Sequence, residues 1–365
     1  MRQRRLKVHP DRPLGFYHCL SRIVDRRFIF NDLEKERFVF LMRELEAFCE
    51  VDILTYSVMS NHFHILLEVP HRPKVLPSAD QILAKLSRLT SHQDLGAARQ
   101  ELERIREEGR GNGTNGTNGT NEGKGKVTAA APAISEAEAA FLEKYYARMW
   151  DVSAFMKLLK QRFTQWYNGR TGRQGTLWED RFRSVVVDGA GMALTTMAAY
   201  IDLNAVRAGL VKDPKDYRWC GYGEAVAGKK RARLGLQKVV QALQRGQEET
   251  VSKSLAIYRM HLFSEGSETR ESLKEDGTLA RPALSREAVL EVLKKKGKLG
   301  ARDYVQCRVR YFCDGAVFGS REFVEEMFVQ HRERFGKKRK DGARRMRGVT
   351  EELYTLRDLR LGVFG

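Results

Sequence analysis

The sequence has no long apolar run and no paired cysteines. None of its apolar stretches reaches the roughly 20 residues that a membrane-spanning helix needs, so no membrane association is expected. The five cysteines are scattered, odd in number and without CxxC spacing, which excludes a disulfide framework or zinc knuckle and predicts reduced thiols. No apolar segment follows the charged start, so no signal peptide is expected. These absences predict a cytoplasmic protein.

Positive charge is in excess along most of the chain. The formal net charge is +18 and the isoelectric point is about 9.7. Such a balance indicates an anionic partner, and nucleic acid is the commonest one. The hydrophobic fraction of 42% supports a packed core. A length of 365 residues suits two domains, or one domain with large insertions.

Apolar alternation and capping signals predict an α+β unit over residues 10–225. The helices are expected to begin after the N-caps Asn31 and Asp151. The predicted order is β-α-β-β-insertion-α-β-α, which favours a ferredoxin-like antiparallel sheet covered on one face. The predicted strands lie at 15–23, 51–59, 62–69 and 182–187, and the predicted helices at 32–48, 152–168 and 193–208.

The remaining segments differ in composition from this unit. Residues 71–150 are expected to form a flexible insertion without a catalytic role, because they include the low-complexity stretch 111–126. Residues 230–335 are expected to form a helical domain, and 336–365 a basic tail. The predicted C-terminal helices lie at 232–245, 248–262, 285–297, 301–311 and 320–334. The last three suit either a helix-turn-helix unit or an ordinary helical cap, and both readings stay open.

Two histidines lie two positions apart on the third predicted strand. Side chains two apart on a strand point to the same face, so His62 and His64 are expected side by side. Phe63 and Ile65 then face a core. Two adjacent imidazoles are half of a metal site. On this stretch alone, a polar sheet face that carries two histidines is the alternative reading.

A later predicted helix carries groups that could complete such a site. Tyr200 and Asn204 are four residues apart and share a helical face. Asn204 offers an amide oxygen, and two imidazoles with one amide oxygen suit Mg²⁺ or Mn²⁺ bound to a phosphate. Tyr200 could act as a nucleophile that forms a covalent phosphotyrosine. By composition alone, a half-buried packing tyrosine is the commoner reading.

Three segments carry a family resemblance: NHFHILLE, GTLWEDRFRS and YIDLNAVRAGLVKDPKDYRWCGY. Together they resemble the Y1-type HUH transposases of the IS200/IS605 class, in particular the REP-associated tyrosine transposases. The resemblance implies an HUH nuclease arrangement in which His62, His64 and Asn204 bind the metal and Tyr200 is the nucleophile. The insertion departs from the family pattern, and so does Ala205, where the family usually has proline.

The resemblance also implies an activity. It is that of a single-stranded DNA endonuclease and strand transferase that cuts and rejoins hairpin-bearing DNA, such as REP-like palindromes, through a 5′-phosphotyrosine. A homodimer is compatible with this reading. Trp166 and Trp178 could stack on bases, although core packing is their commoner role. The expected phosphate contacts are Lys157, Lys160, Arg162, Arg181 and Arg183.

Two other functions are considered. A non-catalytic hairpin-DNA-binding regulator derived from such a transposase would be expected to lack Tyr200 or one of the two histidines, and all three are present. A hydrolytic zinc enzyme would need a third ligand besides His62 and His64. Of the remaining histidines, His18 on the adjacent predicted strand is the candidate.

Overall fold

The computed structural model describes residues 5–111, 135–263, 300–305 and 309–357. The predicted helix 285–297 lies outside these residues, as does nearly all of the low-complexity stretch 111–126. Within the described ranges, no helix is both long and apolar enough to cross a membrane.

A seven-stranded sheet runs through the molecule, with strand order β2-β3-β1-β4-β5-β7-β6. Its first four strands pair antiparallel in the order of a ferredoxin-like unit, which confirms the predicted fold. Strand β1 lies centrally because it pairs with both β3 and β4. The strands are β1 (Leu14–Arg22), β2 (Asp52–Val58), β3 (His62–Pro70), β4 (Arg183–Val187), β5 (Val317–Gly319), β6 (Arg344–Arg345) and β7 (Tyr354–Thr355).

Both faces of the sheet are covered by helices. Phe63 and Ile65 face a core that they share with α1 (Asp32–Cys49) and α5 (Val152–Thr171). Leu66 faces a second core that includes α6 (Met192–Asp202) and α9 (Lys230–Leu243). The expectation of one covered face is therefore wrong. The reason is that α6 is buried on all sides, so that it packs on the sheet as well as against α9.

The predicted helix starts are confirmed by their hydrogen bonds. The Asn31 side chain accepts from the backbone N–H of Leu33 and that of Glu34, at 3.1 and 3.3 Å. The Asp151 side chain accepts from the N–H of Ala154 at 2.8 Å. Each side chain satisfies a donor that the first helical turn leaves without an intrahelical partner.

The helix expected at 193–208 is interrupted. Helix α6 ends at Asp202, and a separate short helix, α7 (Asn204–Arg207), follows it. Leu203 joins the two with a φ of −77° and a ψ of 2°, outside helical geometry. Tyr200 and Asn204 therefore lie on either side of a break rather than on one continuous helix.

The described part of the insertion packs against the core of the sheet. Ile82, Leu102 and Phe141 are buried in the core that contains α1 and α5. The insertion thus extends the layer that covers one face of the sheet. Its helices are α2 (Ala79–Leu86), α3 (His92–Gly111) and α4 (Glu136–Tyr146).

The described residues of the C-terminal region form helices, and they also extend the sheet. Strand β5 pairs parallel with β4, with Val186 opposite Val317, and β7 and β6 continue outward. The helix expected at 301–311 is replaced in the described residues by two four-residue helices, α11 (Ala301–Tyr304) and α12 (Tyr311–Asp314). The further helices are α8 (Gly221–Val226), α10 (Val251–Leu262), α11 (Ala301–Tyr304), α12 (Tyr311–Asp314) and α13 (Arg321–Gln330).

Candidate active site

The two histidines of β3 lie on the face of the sheet that α6 covers. His62 is opposite Arg22 in the register with β1, and His64 is opposite Leu20. The two imidazole rings are nearly perpendicular, with centroids 5.2 Å apart. His64 is buried, whereas His62 is half-buried at the rim. The strand thus places the two rings side by side, as the sequence predicts.

Tyr200 of α6 and Asn204 of α7 approach the two histidines from the helical layer that covers this face of the sheet. The Tyr200 ring lies edge-on to the His64 ring, with centroids 6.1 Å apart. The Nδ2 atom of Asn204 lies 3.3 Å from Nε2 of His62. The break at Leu203 does not separate the two residues from the histidines. All four residues singled out as metal ligands or nucleophile therefore come together on one face of the sheet.

His18 lies behind His64 in a line of hydrogen bonds. Its Nε2 is 2.8 Å from Nδ1 of His64, and its Nδ1 is 2.7 Å from the carbonyl oxygen of Phe312. The rings of His18 and His64 stack with centroids 5.1 Å apart. Both ring nitrogens of His18 are thus engaged, which leaves His18 unsuited as a third metal ligand. In the described ranges, no group of three His, Cys, Asp or Glu side chains could hold a metal.

Burial keeps the inner imidazoles neutral. Loss of solvation lowers the pKa of His18 to about 4. The pKa of His64 lies well below its usual value, first because of burial and then because of the neighbouring His18 and His62. Arg207 and Arg22 lower the pKa of His64 further. A neutral imidazole has a nitrogen lone pair, which is the form that binds a metal.

Helix α12 covers the hydroxyl end of Tyr200. The Tyr200 side chain is only 2% exposed. Its ring packs on that of Phe312 with centroids 4.8 Å apart, and its hydroxyl lies 3.5 Å from Sγ of Cys313. On another side, Cζ of Arg207 lies 4.1 Å from the centre of the Tyr200 ring. The tyrosine is therefore enclosed in the form that the structure describes.

The five expected phosphate contacts do not form one surface. Lys157, Lys160 and Arg162 lie on α5, on the side of the sheet opposite His62 and His64. The Lys160 ammonium donates to the carbonyl oxygen of Asp180 at 2.8 Å, and burial lowers its pKa to about 8.

Arg181 and Arg183 are exposed near or on β4. Arg183 is opposite Leu20 in the register, so it points to the same face as His64. It forms an ion pair of 2.7 Å with Asp314 of α12. Trp178 is buried, and its Nε1 donates to Oγ1 of Thr164 at 2.9 Å, which indicates core packing.

The sequence reading missed two arginines near the site. Arg22 lies on β1 opposite His62. Arg207 donates to the carbonyl of Tyr200 at 2.6 Å and lies 3.4 Å from Oδ1 of Asn204. The sequence nevertheless marks both arginines. Arg22 is four residues after His18 on β1 and so lies on the same face of the strand. Arg207 is three residues after Asn204, which places the two on one side of a helix. The charges of both could attract a phosphate.

Comparisons with known proteins bear on this arrangement. Residues 14–103 match a family model described as "Transposase IS200 like", which confirms the resemblance to these transposases over that segment. The segment includes β1, β2 and β3 with both histidines, and it ends before Tyr200. A solved structure of a REP-associated tyrosine transposase bound to a REP hairpin is similar at 13% identity and a TM-score of 0.35, over 62% of this chain and 86% of that chain. No match is found among curated proteins.

Proposed function

We propose that the chain is a tyrosine transposase that cuts and rejoins hairpin-bearing single-stranded DNA through a 5′-phosphotyrosine on Tyr200. The observation that carries the proposal is the meeting of His62 and His64 with Tyr200 and Asn204, which come from strands and helices more than 130 residues apart in the chain. The match of residues 14–103 to IS200-like transposases supports it.

The side chains at the site fit a divalent ion such as Mg²⁺ or Mn²⁺. Nδ1 of His62 lies 2.7 Å from the Oδ1 of Asn61, so this nitrogen carries the proton and Nε2 has the lone pair. The amide of Asn204 lies beside His62, with its Nδ2 3.3 Å from Nε2 of His62, and its Oδ1 is the atom that would bind an ion. Nitrogen and oxygen donors of this kind suit a phosphate-bound Mn²⁺ or Mg²⁺. When bound, the ion would polarise the scissile phosphate.

The chain's own residues then perform the transfer. The Tyr200 oxygen attacks phosphorus and loses its proton to solvent, while the bond from phosphorus to the 3′ oxygen breaks and that oxygen takes up a proton from solvent. A 5′-phosphotyrosine and a free 3′-OH result. The attack of another 3′-OH on the same phosphorus reverses the step and rejoins DNA. Arg207, whose Cζ lies 4.1 Å from the centre of the Tyr200 ring, places a positive charge beside the attacking residue.

Access to Tyr200 requires a movement of α12. The hydroxyl that would attack phosphorus contacts Cys313, and Phe312 packs against the ring. In this proposal, DNA binding displaces α12 and exposes the tyrosine. The positive charge of the chain, +18, attracts a DNA strand. Assembly as a homodimer stays a prediction.

The test is a cleavage assay on a labelled hairpin-bearing single strand with Mg²⁺ or Mn²⁺. We expect the wild type to form a covalent DNA adduct that survives denaturing electrophoresis, and Tyr200→Phe to form none. The matched control is Tyr222→Phe, which removes another buried tyrosine hydroxyl away from the site and should keep the adduct. An adduct that persists in Tyr200→Phe would contradict the proposal, as would cleavage in excess EDTA.

The second candidate is a non-catalytic regulator that binds hairpin DNA. One observation favours it, namely the enclosure of Tyr200 at 2% exposure. The same assay separates the two candidates. A regulator would retain the hairpin on native gels in both the wild type and Tyr200→Phe, without an adduct in either.

A further inference from the structure

We propose that His18 is a positioning residue that determines which ring nitrogen of His64 is presented to the metal. This inference rests on the proposed function, because it assumes that His64 is a ligand. His18 belongs to β1 and is not itself placed to coordinate an ion, since both of its ring nitrogens have partners.

The direction of each hydrogen bond follows from the Phe312 carbonyl. A carbonyl oxygen can only accept, so Nδ1 of His18 must carry the proton in the 2.7 Å contact with Phe312. The neutral ring of His18 then has its lone pair on Nε2. That lone pair can only accept from Nδ1 of His64, at 2.8 Å. His64 is therefore protonated on Nδ1, and its Nε2 has the lone pair.

His62, the other histidine of β3, is also protonated on Nδ1, and a single hydrogen bond fixes that tautomer. The Asn61 side-chain oxygen accepts from Nδ1 of His62 at 2.7 Å. Both histidines of β3 thus offer Nε2, and each is held by a hydrogen bond through Nδ1. Partners of this kind fix the tautomer and orientation of metal-binding histidines, and their loss typically lowers metal affinity about 10- to 100-fold.

The carbonyl oxygen at the end of this chain of hydrogen bonds belongs to the C-terminal region. Phe312 lies in α12, 294 positions from His18 in the chain. Its carbonyl is in the last turn of a short helix, where oxygens lack intrahelical partners. The cover over Tyr200 and the support behind His64 are thus the same four-residue helix.

The test compares two variants of His18 in the full-length chain. His18→Leu removes the acceptor, whereas His18→Gln keeps an oxygen that can accept from Nδ1 of His64. The control is Ser57→Ala on β2, since Ser57 is opposite His64 in the register and its hydroxyl bonds to Met59 instead. The readouts are Mn²⁺ affinity without DNA, from the electron paramagnetic resonance of free Mn²⁺, and the His64 tautomer from ¹⁵N-histidine NMR. Thermal melting verifies that each variant folds.

We expect the Nδ1–H tautomer of His64 in the wild type and in Ser57→Ala, with equal Mn²⁺ affinities. His18→Leu should shift the His64 tautomer toward Nε2–H and weaken Mn²⁺ binding about 10- to 100-fold. The loss of Mn²⁺ affinity should be smaller in His18→Gln. An unchanged tautomer and affinity in His18→Leu would overturn the role of His18 alone. If the wild type shows the Nδ1–H tautomer but binds no Mn²⁺, the proposed function fails instead, which separates the two outcomes.

Discussion

The hydroxyl of Tyr200 lies 3.5 Å from Sγ of Cys313, although 113 positions separate the two residues. The C-terminal region therefore reaches the residue that we propose as the nucleophile. It is held there in part by the ion pair of Asp314 with Arg183, whose atoms are 2.7 Å apart. Access to Tyr200 therefore depends on the position of α12.

Loosening α12 should speed the formation of the covalent adduct. In Asp314→Ala the ion pair with Arg183 is lost, and exposed pairs of this kind contribute up to about 1 kcal/mol. The population of the form in which α12 has moved away from Tyr200 should therefore rise up to about fivefold. The initial rate of adduct formation should rise by the same factor. The control is Asp341→Ala, which breaks an exposed ion pair with Arg344 elsewhere. A rate equal to that of the control would contradict a gating role for α12.

Removal of the Asn204 amide should weaken metal binding at the site. Asn204→Ala removes the amide beside His62, and we expect the Mn²⁺ concentration for half-maximal cleavage to rise at least about tenfold. Asn204→Asp keeps an oxygen donor and should need no more Mn²⁺ than the wild type. A titration of cleavage rate against Mn²⁺ checks both variants. Equal curves for Asn204→Ala and the wild type would exclude Asn204 as a ligand.

Basic residues on the two faces of the sheet should differ in how much they contribute to DNA binding. Arg183 is on the same face as His64, whereas Lys157 is on α5 behind the sheet. Arg183→Ala should weaken hairpin binding and reduce the slope of log affinity against log salt by about 0.7, the value for one single-strand phosphate contact. Lys157→Ala serves as the control and should leave the slope unchanged. Equal losses in the two variants would place DNA on both faces.

Asp202 should make the fold less stable as pH rises. Burial raises the pKa of its carboxyl to about 6, and it accepts hydrogen bonds from the hydroxyls of Thr55 and Tyr258, both at 2.6 Å. Because the folded-state pKa lies above the unfolded value near 4, the folded protein binds the proton more tightly. Its contribution is full below about pH 4 and is lost by about pH 6, a change of about 3 kcal/mol.

The comparison with Asp202→Asn isolates this effect. The variant keeps an uncharged group of the same shape and cannot titrate. Urea unfolding of both proteins between pH 4 and pH 7 gives the difference in the free energy of unfolding at each pH. We expect the wild type to lose about 3 kcal/mol relative to the variant across that range. A constant difference would show that Asp202 keeps an ordinary pKa.

Local signals in the sequence were sufficient for the elements that surround the histidines. Period-two alternation located β3 and placed His62 and His64 on one face, and side-chain oxygens located the helix starts at Asn31 and Asp151. These features depend on neighbours within a few residues, which a single sequence displays directly.

Features that depend on distant pairing were missed. The sequence predicts His18 on the adjacent strand, but its hydrogen bond to His64 requires the register of β1 against β3. The cover over Tyr200 comes from a segment more than 100 residues later. Strands β5, β6 and β7 have two or three residues each, too few to show a period. The break at Leu203 also has no proline or glycine to mark it.

The most direct test of the central claim is to identify the residue that carries the DNA. After reaction of the wild type with a hairpin-bearing single strand and Mn²⁺, nuclease and protease digestion leaves a peptide with a nucleotide attached, and mass spectrometry locates the modified side chain. We predict a 5′-phosphate on the hydroxyl of Tyr200, whose ring lies edge-on to that of His64 with centroids 6.1 Å apart. A nucleotide on any other residue, or cleavage that leaves no modified peptide, would contradict it.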